Sequence, residues 1–282
     1  MDRDSQRRKA EAFLALHHGP EPLVLPNAWD VASARLVEAA GFPAIATTSS
    51  GIAFSRGYPD GETINRDEML AICARIAARV RSPVSADLEA GYGPTPEDMA
   101  TTIRGALAAG IVGCNIEDGT HRREQPLYPL DLAVARVRAV RREAERAGIP
   151  FVINARTDSY LAAMVFGAAP DSACFDETVR RGRAFRDAGA DCIFIPGLAD
   201  RDTIGRLVAA IGGPINILVG AKSPTVPELK ALGVKRVSVG GMLMLATLGL
   251  VRRAVAELRE TGSYGFAAGM VMHAEMNKML GD

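Results

Sequence analysis

Leu107-Ala108-Ala109-Gly110, followed at once by Ile111-Val112-Gly113-Cys114-Asn115-Ile116, is the stretch that decides the fold. A helical run closes on glycine, and a short apolar run begins. Glycine ends a helix in the left-handed conformation without a Cβ penalty. The same figure returns along the chain. Glu38-Ala39-Ala40-Gly41 precedes Ala44-Ile45-Ala46-Thr47-Thr48, and Glu145-Arg146-Ala147-Gly148 precedes Phe151-Val152-Ile153-Asn154. Arg186-Asp187-Ala188-Gly189 precedes Cys192-Ile193-Phe194-Ile195, and Lys230-Ala231-Leu232-Gly233 precedes Arg236-Val237-Ser238-Val239. Short runs that are apolar on both faces suit buried parallel strands. Completing the repeat predicts eight strands, near 23–29, 44–50, 83–90, 112–118, 151–157, 192–197, 214–220 and 236–241. Amphipathic helices fill the gaps. Over 129–148, Leu130, Val134, Val137 and Val140 form one stripe, with Arg and Glu elsewhere.

Eight βα units in series predict an α/β fold, a (β/α)8 TIM-type barrel, rather than an open doubly wound sheet. No G-x-G-x-x-G follows any strand, which speaks against a dinucleotide fold. A barrel of this kind accommodates all of residues 1–282 as one domain. An extra N-terminal helix is expected within 1–20, over 5–18. Two more are expected within 242–282, at 242–258 and 265–281. The last carries Met270, Met272, Met276 and Met279, and packs on its own barrel or on a neighbouring subunit.

Hydrophobic residues make up 48% of the chain, enough for a large core, and Lys+Arg and Asp+Glu balance at 33 each. A nucleic-acid binder normally shows a basic excess, so that partner is not expected. No run of 18 apolar residues occurs, so no membrane helix is expected. The polar N-terminus, Met1 to Lys9, lacks the apolar stretch of a signal peptide. The four cysteines (73, 114, 174 and 192) form no C-x-x-C pair and read as reduced thiols of a cytoplasmic protein.

In such a barrel the C-terminal strand ends form the active face. The second strand ends in Thr47-Thr48-Ser49-Ser50-Gly51, and the third in Asp87-Leu88-Glu89-Ala90-Gly91-Tyr92-Gly93. The fourth ends in Glu117-Asp118, and the fifth in Asn154-Ala155-Arg156-Thr157-Asp158. Carboxylates, a guanidinium and hydroxyls thus converge on one mouth. Asp87 and Glu89 lie two apart, so strand alternation predicts that they face the same way. A divalent cation relieves the repulsion of crowded carboxylates, and oxygen ligands without Cys or His suit a hard ion such as Mg²⁺. The alternative is that both acids are paired with neighbouring arginines. Arg156 suits a substrate carboxylate through its bidentate fork, or else an ion pair that ties strands together. Thr48, Ser49, Ser50 and Gly51 offer hydroxyls and N–H groups to a carboxylate or an oxyanion, or form a plain turn.

At these residues the sequence resembles the isocitrate lyase / phosphoenolpyruvate mutase superfamily. The likeness runs from Leu25-Pro26-Asn27-Ala28-Trp29-Asp30 to the helix after Gly241. Its most specific pieces are Asp87-x-Glu89-x-Gly91-Tyr92-Gly93, Glu117-Asp118 and Asn154-Ala155-Arg156-Thr157-Asp158, with Asp60 in Gly57-Tyr58-Pro59-Asp60. The resemblance implies Mg²⁺, with Mn²⁺ as a substitute, held mostly through water by Asp60, Asp87, Glu89 and Glu117. It implies a 2-oxo acid substrate, with Thr48, Ser49 and Ser50 around its carboxylate, and Arg156 and Asn154 in contact with it. Arg156, Glu117, His121 and Tyr92 are the candidate catalytic groups. A homo-oligomer is implied too, a tetramer or dimer whose C-terminal helix is exchanged between subunits.

The departures concern the lid. The Lys-Lys/Arg-Cys-Gly-His loop of the lyases is absent, and Cys114 reads as core. The segment after the fourth strand, Glu117 to Pro126, is shorter than the mutase gate and lacks its Lys and Asn. The expected activity is carbon–carbon cleavage of a small 2-oxo or 2-hydroxy (di)carboxylic acid, as lyase or decarboxylase, through a metal-stabilised enolate. The alternatives are P–C chemistry of the phosphonopyruvate mutase or hydrolase type, and a non-catalytic 2-oxo acid-binding protein. His121, in the lid position, is either a proton-handling residue or a solvated loop histidine. Arg122 and Arg123 beside it are expected to lower its pKa.

Overall fold

A computed structural model describes residues 2–281. The strands, in chain order, are β1 (Leu23–Leu25), β2 (Asn27–Ala28), β3 (Ile45–Thr47), β4 (Val84–Asp87), β5 (Gly113–Glu117), β6 (Gly119–Arg122), β7 (Gln125–Leu127), β8 (Val152–Arg156), β9 (Cys192–Ile195), β10 (Ile215–Leu218) and β11 (Arg236–Ser238). All pairings in the large sheet are parallel, in the order β1-β11-β10-β9-β8-β5-β4-β3-β2. β1 and β2 are one strand broken at Pro26, so the sheet returns on itself as an eight-stranded barrel. Every predicted barrel strand is present, each somewhat shorter than expected.

Proline has no N–H, so it cannot donate to a ladder. Pro26 therefore marks the seam: the half before it pairs with the last strand, and the half after it pairs with β3. Asn27 bridges the gap with its side chain. Its Nδ2 donates to the Thr47 carbonyl (2.7 Å), and its Oδ1 accepts from the Val239 and Gly240 N–H groups (3.0 and 2.8 Å).

The helices between the strands are α2 (Val31–Ala39), α3 (Ser49–Ser55), α4 (Arg66–Arg79), α5 (Pro96–Ala108), α6 (Leu130–Ala147), α7 (Ser159–Val165), α8 (Ser172–Asp187), α9 (Arg201–Ile211) and α10 (Val226–Ala231). All five repeat glycines have positive φ, Gly110 at 82°. On α6, Val137 and Val140 are buried, while Leu130 and Val134 pack at the edge of the core.

A helix preceding the barrel, α1 (Arg3–Leu16), begins two residues earlier than expected because Asp2 caps it at the Ser5 N–H (2.9 Å). It crosses the floor of the barrel. Phe13 is fully buried there, and a Cβ on Gly113 would stand 2.8 Å from its ring. Beside it His17 Nδ1 donates to the Phe13 carbonyl (2.9 Å), leaving Nε2 to accept from Arg236 Nη1 (3.4 Å). The barrel interior above is polar. Asn115 Oδ1 accepts from Asn154 Nδ2 (2.6 Å) and from Arg236 Nη2 (3.1 Å), and Asn216 Nδ2 donates to Ser238 Oγ (3.0 Å).

After the barrel come α11 (Met242–Glu260) and α12 (His273–Gly281). The helix expected over 265–281 is only half formed. Residues 265–267 make one 3-10 turn, and Gly269, at φ 78°, stands between it and α12. On α11 only Met244 is buried, while Leu243, Leu245, Leu248, Leu250, Val251 and Val255 are exposed. No helix of the described residues is long and apolar enough to cross a membrane.

Candidate active site

Four strand ends place the side chains singled out in the sequence. Asp87 closes β4, and its N–H donates to Thr47 Oγ1 (2.9 Å). Its Oδ2 accepts from both the N–H and the hydroxyl of Ser49 (3.0 and 2.9 Å). Ser49 therefore orients a carboxylate rather than lying open to solvent. Thr48 caps the short α3, and its Oγ1 lies 3.1 Å from Ser50 Oγ.

Strand alternation does not carry Glu89 to its place. β4 stops at Asp87, and Glu89 turns with φ 50°. Gly91 (84°), Tyr92 (60°) and Gly93 (150°) share the left-handed region, so the D-x-E-x-G-x-G run is a tight turn beyond the strand. Two guanidinium groups hold it. Buried Arg136 donates to the Ala90 and Gly93 carbonyls, and Arg66 Nη2 donates to the Tyr92 carbonyl (2.7 Å). Glu62, also at positive φ, links the next loop to it. Its Oε1 accepts from the Tyr92 N–H (2.7 Å), and its own N–H donates to Glu89 Oε2.

Glu89 is buried, and its Oε1 has no partner. Burial, then the nearby charges of Asp87 and Glu117, push its pKa up to about 8. The Tyr92 hydroxyl is buried and also unpartnered, and burial raises its pKa. Asp60 lies on the exposed loop before α4. Crowding by neighbouring atoms and the Asp87 carboxylate raise its pKa as well.

Glu117 and Arg156 end adjacent strands in register. Arg156 Nη1 meets Glu117 Oε2 at 2.7 Å, and its Nε and Nη2 fork onto Asp158 at 2.5 and 2.9 Å. Glu117 Oε1 lies 3.1 Å from His121 Nε2. Burial holds Glu117 above the usual carboxylate range despite both cations. For His121 the expectation from Arg122 and Arg123 is reversed. The hydrogen bond to Glu117 raises its pKa to about 9, because it faces carboxylates rather than its sequence neighbours. His121 sits on the β6–β7 hairpin, with its ring about a van der Waals contact (3.8 Å) from where a Cβ on Gly61 would stand. The hairpin thus lies against the loop that carries Asp60. Asn154, two residues before Arg156, lies deeper, within the interior amide network.

Among the described residues no three His, Cys, Asp or Glu side chains converge closely enough to ligate one ion directly. The donor set nevertheless fits a hard cation reached through its waters. Four oxygen-bearing acids crowd together, and the buried Glu89 Oε1 has no protein partner. The sequence motifs contain Asp158 and Asp118 but assigned them no role, and sequence reasoning missed Arg181, which pairs with buried Asp118 (2.9 Å), and the clamps Arg136, Arg66 and Glu62. Arg181 lies 63 residues from Asp118, and nothing local joins them. Asp158 did carry a signal, because it stands two residues beyond an arginine at a strand end.

A parallel barrel whose mouth carries this order of acids, arginine and hydroxyls defines the isocitrate lyase / phosphoenolpyruvate mutase superfamily, whose members are lyases and mutases of small carboxylic acids. The chain belongs to its phosphoenolpyruvate phosphomutase family, whose profile matches residues 13–259. A Burkholderia cenocepacia J2315 crystal structure described as a lyase/mutase is 44% identical, with TM-score 0.90 over 98% of this chain and 96% of that one. The 2,3-dimethylmalate lyase of Eubacterium barkeri is 28% identical over 271 residues, 92% of this chain and 89% of that one. A phosphonopyruvate hydrolase solved with oxalate and Mg²⁺ is 26% identical, with TM-score 0.83 over 97% and 95%.

Proposed function

We propose that the protein is a Mg²⁺-dependent carbon–carbon lyase of a small 2-oxo or 2-hydroxy (di)carboxylic acid. The supporting observation is the buried Glu89 carboxylate, unpartnered at Oε1 and crowded by Asp87 and Glu117 beside Arg156. Asp60, Asp87, Glu89 and Glu117 would hold the ion, largely through water, and Mn²⁺ would substitute. When bound, the ion supplies Lewis-acid stabilisation of an enolate oxygen.

The chain's own groups do the rest. Asp158 takes two of the five Arg156 N–H groups, on Nε and Nη2, and Glu117 forms an ion pair at Nη1; the donors left on the two terminal nitrogens would meet a substrate carboxylate. The Thr48 and Ser50 hydroxyls offer donors to a second carboxylate, whereas the Ser49 hydroxyl and N–H, expected from the sequence to join them, are spent on Asp87. His121, charged near neutrality, carries a proton at Nε2 beside Glu117. The β6–β7 hairpin would exclude water above it by closing over a bound substrate. The buried Tyr92 hydroxyl is a second proton carrier. The relatives' own activities support cleavage beside a carboxylate, one of them being a 2,3-dimethylmalate lyase. Four free thiols accord with a reducing compartment such as the cytoplasm.

The family's name and the phosphonopyruvate hydrolase neighbour favour a second reading, P–C bond chemistry in the same mouth. A turnover screen with Mg²⁺ separates the two. Release of a 2-oxo acid from 2-oxo and 2-hydroxy dicarboxylates supports the lyase, whereas phosphate release from phosphonopyruvate replaces it. Binding of a 2-oxo acid with no turnover of either class leaves a sensor. In Asp87→Ala, calorimetry is expected to show Mg²⁺ binding lost with the fold intact. Binding as tight as in wild type would remove Asp87 from the ion's shell.

A further inference from the structure

We propose that Asp158 is a positioning residue for Arg156. It engages the Nε–H and one Nη2–H, and so leaves the side formed by the two terminal nitrogens for the substrate's carboxylate. This rests on the reading that Arg156 receives that carboxylate.

Asp158 occupies the N-cap position of α7, where an aspartate ordinarily accepts from the helix's first N–H groups. Here its side chain makes no capping bond and commits both oxygens to Arg156. A guanidinium offers a carboxylate two forks: Nε with one terminal nitrogen, or the two terminal nitrogens together. With the first fork filled, only the second stays open, and the plane of Arg156 is fixed. Glu117 does not suffice for this. It touches Nη1 alone and also faces His121.

Asp158 is itself held from two sides. Its N–H donates to Asp118 Oδ1 (2.9 Å). Asp118 Oδ2 in turn pairs with buried Arg181 Nη1 (2.9 Å), which also donates to the Tyr128 carbonyl (3.0 Å). On the other side stands Gly119, where a Cβ would come 2.6 Å from Asp158 Oδ2. These residues lie beneath the mouth; Asp118 follows Glu117 in the chain, and the Asp158 charge also reaches Glu117.

The test uses Asp158→Asn and Gly119→Ala, with oxalate as the probe. Oxalate affinity in the presence of Mg²⁺ is expected to fall about 10- to 100-fold, the size typical of losing the partner that orients a binding group. In Gly119→Ala, which keeps every charge, Mg²⁺ affinity without oxalate should stay as in wild type, which a general structural defect would not allow. The Nε–H signal of Arg156 in a ¹⁵N spectrum, identified by its loss in Arg156→Lys, should exchange slowly in wild type and broaden or vanish in both variants. An unchanged Nε–H signal overturns the clamp, and so does unchanged oxalate affinity in a wild type that binds oxalate. Failure of wild type to bind oxalate sinks the substrate reading instead, while the Nε–H comparison still decides the clamp. Should Asp158→Asn fail to fold, Gly119→Ala, which keeps every charge, decides alone.

Discussion

His17 is an imidazole that the fold keeps neutral. Burial, and then the Arg236 charge, lower its pKa to about 3. The unfolded chain titrates near 6.5, so below that pH it takes up a proton that the folded state refuses. The stability His17 contributes is full above pH 6.5 and declines towards pH 3, at about 1.4 kcal/mol per pH unit. Between pH 7 and 5, wild type should lose about 2 kcal/mol more than His17→Gln, read from urea unfolding at both values. Equal losses would mean that His17 is protonated in the native protein. Single residues also mark how far the sequence could be read. Asp87, Glu117 and Arg156 were legible because strand ends place them. Glu89 does lie close to Asp87 and Glu117, but a left-handed turn, not alternation, aims it. The charge state of His121 was misread because the groups that set it arrive from β5 and not from its own loop.

Among the elements, the barrel strands and the glycine-ended helices were legible from periodicity alone. The β6–β7 hairpin was not. Its polar Gly119–Arg122 and Gln125-Pro126-Leu127 show no alternation, and only the pairing of Gly119 with Leu127 and Arg122 with Gln125 makes it a ladder. Its role at the mouth can be checked through His121→Gln. Wild type and variant are expected to differ in their pH–rate profiles on the alkaline side, where the raised pKa falls. Overlaid profiles from pH 5 to 9 would leave the proton to Tyr92 or a bound water. α11 sets a different problem. Its exposed leucines and valines border an apolar groove of about 710 Å³ against α2, lined by Trp29, Leu36, Phe42, Leu243 and Leu250. An apolar surface of this extent marks an association site. We propose that it joins subunits of a homo-oligomer. Leu248→Asp with Val255→Asp should give a monomer by light scattering, whereas wild type should be a dimer or tetramer. A monomeric wild type would refute this.

For the whole molecule, the two ends of the barrel divide the work. In the proposed function the mouth carries the chemistry, while the floor carries stability. Phe13→Ala is expected to cost about 3–5 kcal/mol, because Gly113 and the strands around it cannot collapse into the space left. Thermal melting checks this. Mg²⁺ affinity per folded molecule should be unaffected, since the site lies at the opposite end. Much of this plan, closure included, could be read from five repeats completed to eight strands, but the place of the seam could not, because it depends on where Pro26 falls. That break has a consequence for how the ring breathes. Elsewhere each strand is held by continuous backbone ladders. At Pro26 the ring is joined partly by one carboxamide, Asn27, which reaches both sides of the gap. Sub-global opening starts where the fewest bonds must part. The Val239 and Gly240 amides should therefore exchange with deuterium sooner than those of β5 and β8. The chain's one tryptophan, Trp29, stands two residues past the staple. Its fluorescence offers a native optical gauge of the barrel unlatching before it unfolds.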